Sequence, residues 1–223
     1  MQKVFNADLL DLFTTDDGFV YACRDVLDSG EKTAKFFTYN MKADLFEQIP
    51  ITEYIADKYG EQGFSLARSL GDFMTCTLRS VSSVTNIASY ADGTLKLFDN
   101  AGFITETRKV KYEKYPACSP EPSGRDLWMT VPDANAVINY SIKYNRIEFR
   151  IGGRKEGAFS HPASLAMYDG RLYVCNAGSY NIKTIDLTTY NVNNFYVFNE
   201  PVYRYFRVND TEFVHLNSGI YKL

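Results

Sequence analysis

The chain has 223 residues, 45% of them hydrophobic, with 24 Lys and Arg against 27 Asp and Glu for a formal net charge of −3. Such a length suits one all-β domain over 1–223, and the charge balance lacks the clustered basic footprint that favours nucleic acid or an anionic membrane. No apolar run approaches the ~18 residues of a membrane helix, so nucleic-acid binding and membrane spanning are both excluded as expectations.

In chain order, MQKVFNADLLDLF at 1–13 carries acids among its hydrophobics and has no basic stretch before an apolar core, so it does not read as a signal peptide. The expected location is the cytoplasm or an assembled particle. QKVFN reads as a strand. The first unit follows as LLDLFT, the Asp16-Asp17-Gly18 turn, FVYACR, AKFFTYN and LFEQIPI. Ile51, Ile55 and Tyr59 then fall at helical spacing and predict a short surface helix over 51–59.

The second unit reads SLARS, DFMTCTL, TLKLFDN and, after Asn100-Ala101-Gly102, FITETRK. SVSSVTNIASYAD is left over, either as an insertion between the second and third strands or as the start of a degenerate additional blade. The third unit has a proline-rich inner strand, ACSPEPSG, then DLWMTVP, AVINYSI and RIEFRIG. Ser119–Ser123 reads either as that irregular strand or as a recognition loop. The fourth unit places strands near 163–168, 171–176, 181–187 and 192–198. PVYRYFRV, EFVHLN and GIYKL give the fifth only three strands, and QKVFN has the length and pattern of the missing outer one.

A strand signature recurs through these units: FVYACRD (19–25), FMTCTLR (73–79), LWMTVPD (127–133), LYVCNAG (172–178) and FVHLNSG (213–219). Repeats of that length predict a toroid of small sheets. The expected fold is therefore all-β, a five-bladed β-propeller of four-stranded antiparallel blades with the N-terminal strand closing the last blade; six blades is the alternative count. Cys23, Cys76 and Cys175 share one column of the repeat, which assigns them to second strands of three blades. That separation exceeds the ~4.4–6.8 Å Cα spacing of a disulfide and implies buried thiols. Cys118 is expected in a loop or inner strand.

The stretch from Asp126 to Leu187 resembles the NHL-type propeller repeat. The resemblance rests on Tyr173-Val174-Cys175-Asn176, on Ile182 to Asp186, and on the linker from Gly152-Gly153 through Gly157 and Phe159 to Pro162. A weaker linker copy runs from Gly60 to Ala67. The aspartate of the family's strand motif is replaced by Arg24, Thr77, Val131 and Asn176, and five blades departs from the usual six. The glycines allow sharp turns between blades, and the phenylalanine after them is expected to wedge between sheets.

Chemistry-bearing motifs are sparse. His161 and His215 have no partner at metal-ligand spacing, and no nucleophile elbow, P-loop or dinucleotide fingerprint is present. Calcium-dependent lactonase-like propellers are similar in architecture; Asp17, Asp133, Asn176 and Asn217 are oxygen donors of the matching type, or else turn caps. No cofactor or metal is expected. Arg68, Arg204 and Arg207 fall on predicted innermost strands, where they either face a small anionic ligand in the channel or pair with Asp11, Glu121 or Glu200. Tyr144, Tyr180 and Tyr190 fall in predicted turns and suit a partner surface. The expected function is a non-catalytic protein-binding or scaffold module, alone or as one subunit of a larger assembly. A metal-dependent hydrolase and a carbohydrate-binding lectin are the alternatives.

Overall fold

A computed structural model of the chain describes residues 1–6, 9–15, 18–60, 67, 70, 76–82 and 85–223. Strand β1 (Gln2–Asn6) comes first. A sheet then forms from β2 (Leu9–Thr14), β3 (Val20–Asp28), β4 (Glu31–Asn40) and β5 (Leu45–Ile49), and the helix α1 (Ile51–Tyr59) follows. The second sheet holds β6 (Cys76–Ser82), β7 (Thr85–Tyr90), β8 (Thr94–Phe98) and β9 (Ile104–Lys109). A hairpin of β10 (Lys111–Tyr112) and β11 (Tyr115–Pro116) leads into β12 (Cys118–Ser123), β13 (Asp126–Val131), β14 (Ala136–Ser141) and β15 (Arg146–Gly152). The fourth sheet is β16 (Pro162–Tyr168), β17 (Arg171–Asn176), β18 (Asn181–Asp186) and β19 (Val192–Val197). The fifth orders β20 (Val202–Val208), β21 (Thr211–Leu216) and β22 (Gly219–Lys222) with β1 on its edge. Among the described residues there are thus five four-stranded antiparallel sheets in up-and-down order, the blade set of a five-bladed propeller.

The expected closure by the N-terminal strand is present, with Gln2 opposite Lys222 and Asn6 opposite Gly219. The predicted helix is present too. The strand boundaries of the first, third and fourth units agree with the turn signals to within a few residues.

Two compact units are distinguishable, Met1–Thr75 with Phe206–Leu223, and Cys76–Tyr205. In the first, strand alternation sends Leu12, Val20 and Ala22 to one face and Phe13, Tyr21 and Cys23 to the other. The former pack on Phe206, Val208, Phe213 and Ile220 of the fifth sheet, where the rings of Phe206 and Phe213 stack at 5.3 Å. The latter pack with Phe36 under Tyr54 of α1. Each large side chain so buried contributes about 1.5–3 kcal/mol.

Burial in this unit, aided by Asp57, pushes the Tyr21 phenol up from 10.0 to about 12, and burial beside Asp11 pushes the Cys23 thiol from 9.0 to about 12. Both groups are held in their protonated form, so the stability they contribute is complete below about pH 9 and lost as pH rises toward 12. Thermal unfolding followed between pH 8 and 12 should show this decline, with loss of the near-ultraviolet aromatic signal at the alkaline end.

In the second unit, Ile87, Leu95, Leu127, Met129 and Ile138 join the second and third sheets. Trp128 and Val137 of the third sheet meet Leu165, Leu172, Val174 and Ile185 of the fourth across Phe159. The linker phenylalanine therefore wedges between sheets as expected. Gly152 makes this possible at φ 75°, because a Cβ there would lie 2.7 Å from the Phe159 ring.

The reading of the second blade needs correction. SVSSVTNIASYAD is no insertion: its TNIASY segment is the second strand of the sheet, and Cys76–Ser82 is the first. The turn explains why. Asp92 accepts the Thr94 N–H at 2.8 Å and Gly93 adopts φ 82°, so Asp-Gly joins β7 directly to β8 as a tight hairpin. Cys76 consequently lies on a first strand, whereas Cys23 and Cys175 lie on second strands, and the three-membered column dissolves. All four cysteines are free, and Cys23, Cys76 and Cys175 are buried as expected. Cys118 lies on the first strand of its sheet. SLARS apart from Ala67, and so Arg68, lies outside the described residues, as does Asp17.

Candidate binding site

First strands of the second unit bring charge together. Arg79 on β6 lies 3.5 Å from Glu121 on β12, and the Met167 N–H on β16 donates to the other Glu121 oxygen at 3.2 Å. Burial raises the Glu121 carboxyl above its ordinary range, opposed by the positive fields of Arg79 and Arg204. Arg204 also acts on the buried Cys175 thiol, whose pKa burial raises to about 12. Glu121, one of the carboxylates expected as a partner for inner-strand cations, thus links strands of neighbouring sheets.

Arg79 went unrecognised because its strand was read as a second strand; the Asp92-Gly93 turn was the signal that places it. Arg207, in the first unit, pairs with Glu212 at 3.2 Å across its own β20–β21 hairpin. Local pairing therefore meets the charge of Arg207.

Asn176 is buried, accepts the Ser160 N–H at 3.3 Å and donates to the Val174 carbonyl at 3.2 Å. These are the contacts of a turn-fastening amide. Asp133 lies 4.0 Å from His161, whose backbone N–H is held by Asn135. Among the described residues no group of three or more His, Cys, Asp or Glu is placed to hold a metal ion.

The tyrosines occupy hairpin turns as the sequence predicts. Tyr144 is 58% exposed between Lys143 and Arg146, whose charges lie 4.9 and 5.3 Å from its ring centre. Tyr180 joins β17 to β18, at the other end of its sheet from Tyr190, because successive turns of an up-and-down sheet alternate ends. Tyr190 reaches out of the β18–β19 turn to the third sheet and rests 4.6 Å from Phe149, with Trp128 beneath both. Phe149 and Tyr190 are 39% and 46% exposed, whereas Trp128 is 5% exposed. Three rings from two sheets thus make a continuous apolar patch with a rigid base. Phe149 and Trp128 escaped the sequence reading because a strand pattern alone does not distinguish a ring facing solvent from one facing a neighbouring sheet.

No protein-family model matches the sequence, and no curated protein matches it. Solved structures do resemble it. The crystal structure of Saccharomyces cerevisiae Sqt1 superposes with a TM-score of 0.54 at 10% identity, covering 96% of this chain and 72% of that one. The fold is a β-propeller. The crystal structure of the computationally designed Ika8 protein gives a TM-score of 0.50 at 11% identity, covering 96% of this chain and 71% of that one. At these identities the likeness bears on the fold of this propeller. Among its described residues no helix is long and apolar enough to cross a membrane.

Proposed function

We propose that this propeller is a non-catalytic protein-binding module, a single domain over 1–223 with NHL-like repeats between Asp126 and Leu187, that serves as a scaffold in the cytoplasm or as one subunit of a larger assembly. The observation that carries the reading is the exposed Phe149–Tyr190 pair seated on Trp128. Aromatic rings held by packing lose little rotamer entropy on binding, and such rings dominate protein interfaces. Tyr144, with cations on both sides, extends the surface toward an acidic rim on the partner. Charge pairing on the inner strands supports the same reading, because Glu121 already answers the nearest cation.

The test is affinity capture from the source cells with wild-type protein and with a Phe149→Ala/Tyr190→Ala double variant, followed by mass spectrometry and measurement of the recovered pair. The expected outcome is a protein partner whose affinity falls at least tenfold, about 1.4 kcal/mol, in the variant. A partner bound equally by both proteins overturns the assigned surface. A metal-dependent esterase activity with no protein partner overturns the function.

A further inference from the structure

Arg24 differs from Arg207, the other arginine described in its unit, which holds the Glu212 carboxylate at 3.2 Å. Arg24 has no such partner among the described residues, and its Nε is buried without a hydrogen bond. A guanidinium stays charged and carries five donors, so leaving one of them buried and unmet is costly. An orphan of this kind calls for a specific explanation.

Its surroundings supply one. Arg24 lines a groove of about 410 Å³ with Lys3, Val4, Phe5, Asn6 and Phe37, a volume in the range of small-molecule sites. The guanidinium sits 5.8 Å from the Phe5 ring centre, and that ring meets Phe37 at 5.0 Å and Phe46 at 4.5 Å. Lys3 adds a second cation at the rim, 6.0 Å from the Tyr221 ring. No carboxylate is among the lining residues. The groove therefore combines an aromatic floor with two cations that have no carboxylate partner among the described residues.

We propose that this groove binds a small aromatic carboxylate, its anionic end held by Arg24 and Lys3 and its ring laid against Phe5 and Phe37. A carboxylate matches the planar fork of Arg, which it accepts in a bidentate manner. Phosphate is the poorer match, because phosphate sites draw on backbone N–H nests or helix N-termini, whereas β1 lies in a strand ladder with β22. The groove shares no residue with the Phe149–Tyr190 surface and stands or falls independently of the proposed function.

Isothermal titration with phenylacetate tests it, alongside acetate, phenylacetamide and phenyl phosphate. Phenylacetate is expected to bind saturably, with acetate and phenylacetamide each at least tenfold weaker. Arg24→Met should weaken phenylacetate at least tenfold and Lys3→Ala about threefold, consistent with one buried and one exposed charge contact. The unliganded Arg24→Met protein should melt no lower than wild type, since the substitution removes the orphaned donor. Phe37→Ala supplies an independent loss of the ring contact if Arg24→Met fails to fold. Failure of phenylacetate to saturate at about 20 mM, a dissociation constant weaker than any useful site, overturns the proposal. So does acetate binding as tightly as phenylacetate, unchanged binding in Arg24→Met and Lys3→Ala, or tighter binding of phenyl phosphate.

Discussion

Replacing Lys58 with methionine is expected to destabilise the protein by about 3–5 kcal/mol, the range for removing one partner of a buried ion pair. Lys58 on α1 reaches Asp11 on β2, with Nζ 2.5 Å from Oδ2, and the two side chains are 2% and 10% exposed. The same Asp11 oxygen accepts the Tyr54 hydroxyl at 2.7 Å, and the Leu12 N–H donates to the other at 2.9 Å. Methionine keeps the aliphatic packing but leaves a buried carboxylate with its hydroxyl and amide donors and no countercharge. Burial and the Asp11 charge already hold the Tyr54 phenol far above its usual range, so Tyr54 stays a donor. It cannot supply the missing positive charge. Equilibrium urea unfolding measures the loss. The Asp11→Asn/Lys58→Met double variant should recover most of it, because the amide retains an acceptor for Tyr54 without a charge to bury. A double variant no more stable than Lys58→Met alone would show that packing of the lysine stem, and not the charge pair, anchors the helix.

The second large effect is expected at Gly219, where alanine should cost about 3 kcal/mol through combined strain and clash. Gly219 opens β22 at φ 145°, a conformation that residues with a Cβ rarely adopt, and stands opposite Asn6 in the β1–β22 pair. A Cβ there would lie 2.2 Å from the Phe5 carbonyl oxygen and 2.9 Å from Lys3 Cε. The clash is against backbone, so the N-terminal strand must move. Hydrogen exchange should then show β1 amides losing protection ahead of those in β21, and the exposed edge of β22 should promote self-association at high concentration. Equal loss of protection across the whole sheet would mean that β1 is not a separable closing strand.

Both effects concern how distant parts of the chain meet, and there the sequence was legible in unequal measure. The last unit is short by one strand, and QKVFN carries the right length and alternation, so the β1–β22 pairing followed from counting. The helix followed from the spacing of Ile51, Ile55 and Tyr59. The buried partnership of Lys58 with Asp11 did not, because a lysine in a helix looks the same in sequence whether it faces solvent or a carboxylate 47 residues away. The second blade departs from its sequence pattern for a related reason. A cysteine after an aromatic only resembles the second strands of other blades, whereas the Asp92-Gly93 turn acts through local backbone geometry and fixes the hairpin.

By itself, then, the sequence determined the all-β class and the N-terminal closure, because strand alternation and turn chemistry are local and operate on each segment before it meets another. Only the tertiary structure decided which side chains answer one another across sheets: Glu121 to Arg79, Tyr190 to Phe149 and Trp128, and Arg24 to no carboxylate among the described residues. Those relations depend on the approach of separate blades, which period-two patterns leave open. The features proposed to bind other molecules belong to this second class.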